Sequence, residues 1–338
     1  MTGAQMAREM GEQPERLRAL IARRDQVAKR VQSVVPEPLH GITLVARGSS
    51  DHAAIYGRYL LEAATGKPVS LVAPSLHTIY GIEVDYSGQL VIAVSQSGAT
   101  PEIVRTLAAL QQAGGQGLAI TNDPTSALAQ AAGESLELEM GEERAVPATK
   151  TVTGQFVAFA LVAAALGQAP FAPHEMQAVP EWVQAVLDDP EPAAAAAERL
   201  VGCSQLIVVA RGYMFAAALE TALKVKETCS LLADGYSAAD LRHGPIAAVT
   251  AGFPVVALRA AGPTFDDVCA LVEELRAREA SVLVVGTDEH ADVRLPQEPE
   301  PLAPIAAVVR GQQLAYELAL RLGYDPDNPP GLSKVTAT

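Results

Sequence analysis

Ser95-Gln96-Ser97-Gly98-Ala99-Thr100-Pro101-Glu102 follows an apolar run and leads into a helical pattern, with Thr100 at the N-cap and Pro101 as the first helical residue. Three hydroxyls and the free N–H groups of a helix start suit an anion, a phosphate above all. A Ser/Thr-rich turn that only caps its helix fits the same letters. Glu220, Lys224 and Glu227 recur at i, i+4 and i+7 in the Ala- and Leu-rich segment 216–228, so a helix places them on one face and turns Lys226 elsewhere. If buried, such a trio keeps a carboxylate poised for proton transfer, because desolvation and a neighbouring charge act on it in opposite directions. If exposed, it is a surface ion-pair ladder. His243, in Leu241-Arg242-His243-Gly244-Pro245, lies where Gly-Pro ends a helix and is a candidate acid or base; His290 reads as a surface residue. Lys334, in a C-terminal tail apolar enough to dock, either reaches a carbonyl or solvates the chain end.

The elements that must position these groups come in two copies. Val45-Ala46-Arg47-Gly48 recurs 164 residues on as Val209-Ala210-Arg211-Gly212, and the same ungapped offset pairs Val91-Ile92-Ala93 with Val255-Val256-Ala257, Gly98 with Gly262, Thr100 with Thr264, and Leu118-Ala119-Ile120 with Val282-Leu283-Val284. Arg259-Ala260-Ala261 stands where the first copy has Ser95-Gln96-Ser97, so one half is expected to bind a ligand that the other does not. In each half short Val/Ile/Leu runs alternate with longer periodic segments. In the first these are 42–46, a helix from about Asp51, 69–72, 90–94, a helix from Pro101, and 118–121. That rhythm predicts an α/β fold with a parallel, doubly covered sheet in each half. Residues 4–35 read as one basic-flanked helical arm interrupted at Gln13-Pro14; the Pro-rich stretch 168–200 reads as a linker holding one helix or two. The expected division is an arm (1–39), a first domain (40–167), the linker (168–200), a second domain (201–323) and a tail (324–338).

Composition narrows the function. With 338 residues and 49% hydrophobic content the chain can bury two cores. A net charge of −14 opposes nucleic acid and anionic membrane as partners, leaving a small anion held by local groups. Three cysteines without a CxxC pair give neither a zinc pattern nor a disulfide framework. The longest apolar stretch, 156–166, is too short for a membrane span, and the start of the chain lacks a signal core. A cytoplasmic protein is expected. No GxGxxG, Walker, HExxH or GxSxG motif occurs, so neither cofactor nor metal is expected.

Seven segments in order resemble the tandem SIS (sugar isomerase) family, most closely the isomerase half of glucosamine-6-phosphate synthase and stand-alone glucosamine-6-phosphate deaminases. They are Gly11-Glu12-Gln13-Pro14, Ala46-Arg47-Gly48-Ser49-Ser50, Ser95 to Thr100, Ala148-Thr149-Lys150, Ala222 to Glu227, Leu241 to Pro245, and Leu332-Ser333-Lys334-Val335-Thr336. The resemblance implies two flavodoxin-like SIS domains related by duplication. It further implies that Ser95, Gln96, Ser97 and Thr100 hold a sugar phosphate, and that Ser50 and the backbone near Val146 hold the sugar. Glu227 is then the base between C1 and C2, Lys224 its neighbour, Glu220 an orienting partner, and His243 the ring opener. In the family that histidine loop enters the neighbouring subunit's site, which implies a homodimer. Lys334 matches the lysine that forms a Schiff base with the ketose. Ala148 replaces a serine of the synthase, which puts one sugar contact in question.

The synthase opens with a glutaminase whose cysteine nucleophile follows the initiator methionine; here Thr2 follows, and glutamine is not expected to be the nitrogen source. The activity expected is therefore glucosamine-6-phosphate deamination to fructose 6-phosphate and ammonia. The alternatives are a fructosamine-6-phosphate deglycase, a ketose–aldose phosphate isomerase, and a non-catalytic sugar-phosphate sensor.

Overall fold

The computed structural model describes residues 2–334; Val335 and Thr336 of the tail motif lie outside them. Along the chain run α1 (Ala4–Gly11), α2 (Gln13–Ala22), α3 (Arg24–Val34), β1 (Gly41–Val45), α4 (Ser49–Thr65), β2 (Val69–Leu71), α5 (Pro74–Thr78), β3 (Gln89–Val94), α6 (Pro101–Gln112), β4 (Gln116–Thr121), α7 (Ala127–Ala132) and β5 (Ser135–Glu137). Then follow α8 (Lys150–Leu166), α9 (Pro173–Asp188), α10 (Glu191–Leu200), β6 (Gln205–Ala210), α11 (Phe215–Cys229), β7 (Leu232–Ser237), α12 (Ala238–Arg242), β8 (Pro254–Arg259), α13 (Phe265–Ala277), β9 (Ser281–Gly286), β10 (Val293–Arg294) and α14 (Ala303–Arg321). The expected single arm is three helices: it breaks at Glu12, one residue before Gln13-Pro14, and again at Arg23, whose guanidinium turns to Glu139 and to the carbonyls of Glu137 and Leu138. The stretch 168–200 holds two helices, α9 and α10.

The chain packs as two compact units, one of residues 15–143 and 150–172 and the other of residues 2–14, 144–149 and 173–334. Each contains a five-stranded parallel sheet, in the orders β2-β1-β3-β4-β5 and β10-β9-β8-β6-β7. Read by position in its own copy, each sheet has the doubly wound order 2-1-3-4-5. The duplication therefore extends to topology. Pairing register confirms the offset at the first junction, since Thr43 faces Val91 as Ile207 faces Val255. By the fourth strand it has slipped: Ile92 faces Leu118, but Val256 faces Leu283. The second copy thus carries one extra residue between its third and fourth strands, and the ungapped pairing of Leu118 with Val282 is corrected by one position.

In the unit of 15–143 and 150–172, α8 is buried from Lys150 to Ala163 and packs along α4. Tyr56 and Phe156 stack at 4.8 Å between centroids, and a Cβ at Gly57 would collide with the Phe159 ring. In the other unit α11 packs along α14 in the corresponding way, with Gly311 leaving room for Thr221 and the Thr228 hydroxyl donating to Ala315 O (3.2 Å). The core helix of each copy is thus fixed against a second helix, which restricts the side chains it presents.

Between β10 and α14 the side chain of Glu298 is 5% exposed, and neither carboxyl oxygen has a hydrogen-bond partner among the described residues. Burial pushes its pKa well above the usual carboxylate range. The folded state therefore binds the proton more tightly than the unfolded one, and the stability linked to it is present in acid and lost as pH rises past the unfolded value of about 4.3. Glu298→Gln should raise the melting temperature at pH 8 by roughly 1.5 °C per kcal/mol relieved, with the gain vanishing near pH 4. Melting curves of the two proteins across pH check this.

Candidate functional site

The first cluster lies in the unit of 15–143 and 150–172. Its sheet order reverses between β1 and β3, and an open sheet offers its crevice at the carboxyl ends of the strands flanking such a reversal. The turns after these two strands start α4 and α6. Ser50 is buried in the first turn of α4 and accepts a hydrogen bond from Gln155 Nε2 (3.0 Å). After β3, the loop 95–100 is braced by its own hydroxyls: Ser95 Oγ accepts from Gly98 N and Ser97 Oγ from Ala99 N, both at 3.2 Å. Gln96 O accepts from Asn122 N (3.0 Å). Gly98 has φ 59, and a Cβ there would meet Ser126 and Thr121, so the turn requires glycine. Thr100 is the N-cap residue and Pro101 opens the helix, as read, and the Thr100 hydroxyl makes no capping bond. That hydroxyl and the first N–H groups of α6 remain available to a ligand. Arg47 does not join this cradle; its Nε pairs with Glu102 (2.9 Å).

In the other unit, α11 carries Glu220, Lys224 and Glu227 on one face, as their spacing predicts. Lys224 Nζ lies 3.3 Å from Glu220 Oε1 and 2.5 Å from Glu227 Oε2. The Glu220 and Lys224 side chains are each 1% exposed and that of Glu227 is 22%. The exposed-ladder reading is excluded by this burial. Burial alone would pull the Lys224 pKa down, but Glu220 and Glu227 outweigh it and hold the ammonium above the ordinary lysine value. One charged donor between two carboxylates, the outer of them reachable from solvent, is an arrangement able to move protons. Lys226 points away, 43% exposed and 3.9 Å from Asp234.

In the same unit the segment 144–149 forms a strap. Val146 N donates to Asp327 O (3.0 Å), and Lys334 Nζ donates to Ala145 O (2.7 Å), so the tail lysine docks beside the backbone assigned to the sugar. Lys150, next to the strap in sequence, is buried and donates from Nζ to Glu142 O (2.6 Å) in its own unit. His243 closes α12 as its C-cap residue and is exposed; His290 is exposed as read. Among the described residues no group of three or more His, Cys, Asp and Glu side chains is placed to hold a metal, and no helix is long and apolar enough to cross a membrane.

The family pattern called the SIS domain matches residues 40–165 and again 199–308. The chain belongs to the SIS domain family. It is 33% identical over 340 residues to the glutamine–fructose-6-phosphate aminotransferase (isomerizing) of Methanothermobacter thermautotrophicus, with 97% of this chain and 56% of that protein covered. The chain thus spans little more than half the length of that curated relative. A protein from Silicibacter pomeroyi described as a phosphosugar isomerase superposes with a TM-score of 0.88 at 29% identity, covering 97% of this chain and all of the other. The C-terminal domain of glucosamine-fructose-6-phosphate aminotransferase from Francisella tularensis gives 0.86 at 25%, covering 96% and 98%.

The two SIS repeats carry different side chains at equivalent positions. Moved back by the repeat offset, Glu220, Lys224 and Glu227 fall on Tyr56, Leu60 and Ala63 of α4, where no charge exists. The repeat that keeps the hydroxyl cradle lacks the ionic trio, and the reverse holds in the other. At the start of α13 the equivalent of Thr100 is Thr264, whose hydroxyl donates to Glu300 Oε1 (2.5 Å). Burial raises the Glu300 pKa against the lowering effect of its Thr264 bonds. The second repeat therefore answers its helix N-terminus with a carboxylate of its own. Sequence reading missed Glu300, because the repeat offset locates Thr264 but not its partner 36 residues along the chain. It also missed Glu9 and Asp327, which carry no motif chemistry of their own.

Proposed function

We propose that this chain is an amino-sugar phosphate isomerase acting as a glucosamine-6-phosphate deaminase. Ser95, Gln96, Ser97 and Thr100 hold the phosphate, and Ser50 and the backbone at Val146 the sugar. His243, supplied by the neighbouring subunit of a homodimer, opens the ring; its exposed place at the end of α12 supports that role. Glu227 takes the C2 proton of the open aldehyde and returns it to C1, with Lys224 stabilising the oxygen of the intermediate enolamine and Glu220 orienting Lys224. The resulting ketimine at C2 adds water and releases ammonia, leaving fructose 6-phosphate, and Lys334 assists by exchanging its own amine for the departing one. The observation that carries this reading is the buried Lys224 ammonium between two carboxylates, of which only Glu227 is open to a substrate.

The experiment is to incubate the purified chain with glucosamine 6-phosphate and measure ammonia and fructose 6-phosphate. Equal amounts of both are expected. Turnover only of a fructosamine 6-phosphate adduct moves the assignment to a deglycase, turnover of fructose 6-phosphate alone to a plain isomerase, and binding without turnover to a sensor.

A further inference from the structure

Glu9 on α1 is fully buried, and the proposed reaction gives it no task. We propose that Glu9 is a positioning residue that sets the strap 144–149, and through it the ammonium of Lys334. The proposal rests on the reading of Lys334 as the lysine at the reaction site.

The Glu9 carboxylate accepts from two consecutive backbone N–H groups, Arg144 (2.6 Å, Oε1) and Ala145 (3.2 Å, Oε2). Burying a carboxylate is costly unless charged hydrogen bonds compensate it, and an apolar side chain would pack a helix here without that cost. The carboxylate is explained by what it grips. On the other side of the same residue, Ala145 O accepts from Lys334 Nζ, and the N–H of that same peptide, Val146 N, donates to Asp327 O. Asp327 closes the circuit: its carboxylate accepts from Gln5 N (3.0 Å) and Met6 N (2.7 Å) at the start of α1, where a negative charge is favoured. The far end of the strap is pinned from the same arm. Gln13 Nε2 donates to Met10 O and Gln312 Oε1, and Gln312 Nε2 donates to Thr149 O. Arm, strap and tail thus hold one another, and Met6, Met10, Ala145, Leu187 and Tyr316 seal the junction with an apolar cluster.

Because the phosphate loop belongs to the other unit, loosening this circuit should affect the chemical step and leave phosphate binding unchanged. Glu9→Gln keeps the size but turns an NH2 toward a backbone donor. Its expected effect is a fall in kcat of about tenfold or more, since small misplacement of a reacting group is costly, with a smaller rise in KM because the strap also carries the Val146 backbone proposed to hold the sugar. Glu9→Asp should recover part of the loss. Trypsin cleavage after Lys334, followed by mass spectrometry of the intact folded protein, should accelerate about tenfold in Glu9→Gln as the tail opens more often. Should Glu9→Gln fail to fold, Asp327→Asn cuts the same circuit and is read in the same way. Cleavage at the wild-type rate, or faster cleavage with wild-type kcat, overturns the proposal. The cleavage assay needs no substrate, so a wild-type chain inactive on glucosamine 6-phosphate would refute the deaminase reading while leaving Glu9 to be judged by the tail.

Discussion

Glu227→Gln lowers kcat by roughly a thousandfold while sugar-phosphate affinity stays within about threefold, as expected for loss of a general base without loss of the binding site. The substitution is isosteric and leaves Lys224 paired with Glu220, so the helix face should survive. An amide cannot accept the C2 proton. No other member of the trio can replace Glu227, because the Glu220 and Lys224 side chains are each 1% exposed. The hydroxyl-lined loop 95–100 belongs to a different repeat and is untouched. Two measurements separate the steps: titration calorimetry with fructose 6-phosphate for binding, and turnover in D2O for proton transfer. Wild-type protein should place solvent deuterium at C1 of the product, and the variant should not. A variant that exchanges that hydrogen and turns over at the wild-type rate removes Glu227 as the base.

Repetition made much of this legible in sequence. The first four strands fall within about two residues of where Val/Ile/Leu runs placed them, because a strand covered on both faces has to be apolar throughout. Strands β5, β7 and β10 were not legible. β7, with Asp234 and Gly235 in its middle, is an edge strand whose one neighbour is β6, and edge strands need no apolar run. Helical spacing identified the trio on α11, but only packing against α14 shows that Glu220 and Lys224 are buried, since burial depends on residues far away in the chain. The loss of the Ser95-Gln96-Ser97 hydroxyls from the second copy was plain in sequence; that Glu300 takes over the helix start was not, because it joins the loop 36 positions along the chain from Thr264. Long-range polar pairs carry no period, so the Glu9 and Asp327 contacts could be found only in three dimensions.

Removing the ammonium tests whether the trio serves stability or chemistry. Lys224→Met leaves the buried Glu220 carboxylate beside Glu227 without the charge that separates them, and breaking a buried pair in this way costs roughly 3–5 kcal/mol. For a protein of this size that lowers the melting temperature by roughly 4–7 °C at neutral pH. In the wild type the Lys224 pKa is raised, so its contribution is complete below the unfolded lysine value of about 10.4 and is lost only as pH rises through the higher folded value; it adds no slope between pH 4 and 8. The variant behaves differently, because protonating a carboxylate relieves its burden and its deficit against wild type should shrink as pH falls toward about 4. A second change, Glu220→Gln, removes the buried charge itself. Lys224→Met/Glu220→Gln should regain most of the lost melting temperature and keep kcat at least a hundredfold below wild type, as an ammonium that stabilises a developing oxyanion requires. Recovery of both stability and turnover would mean that the pair is structural and that Glu227 works without it.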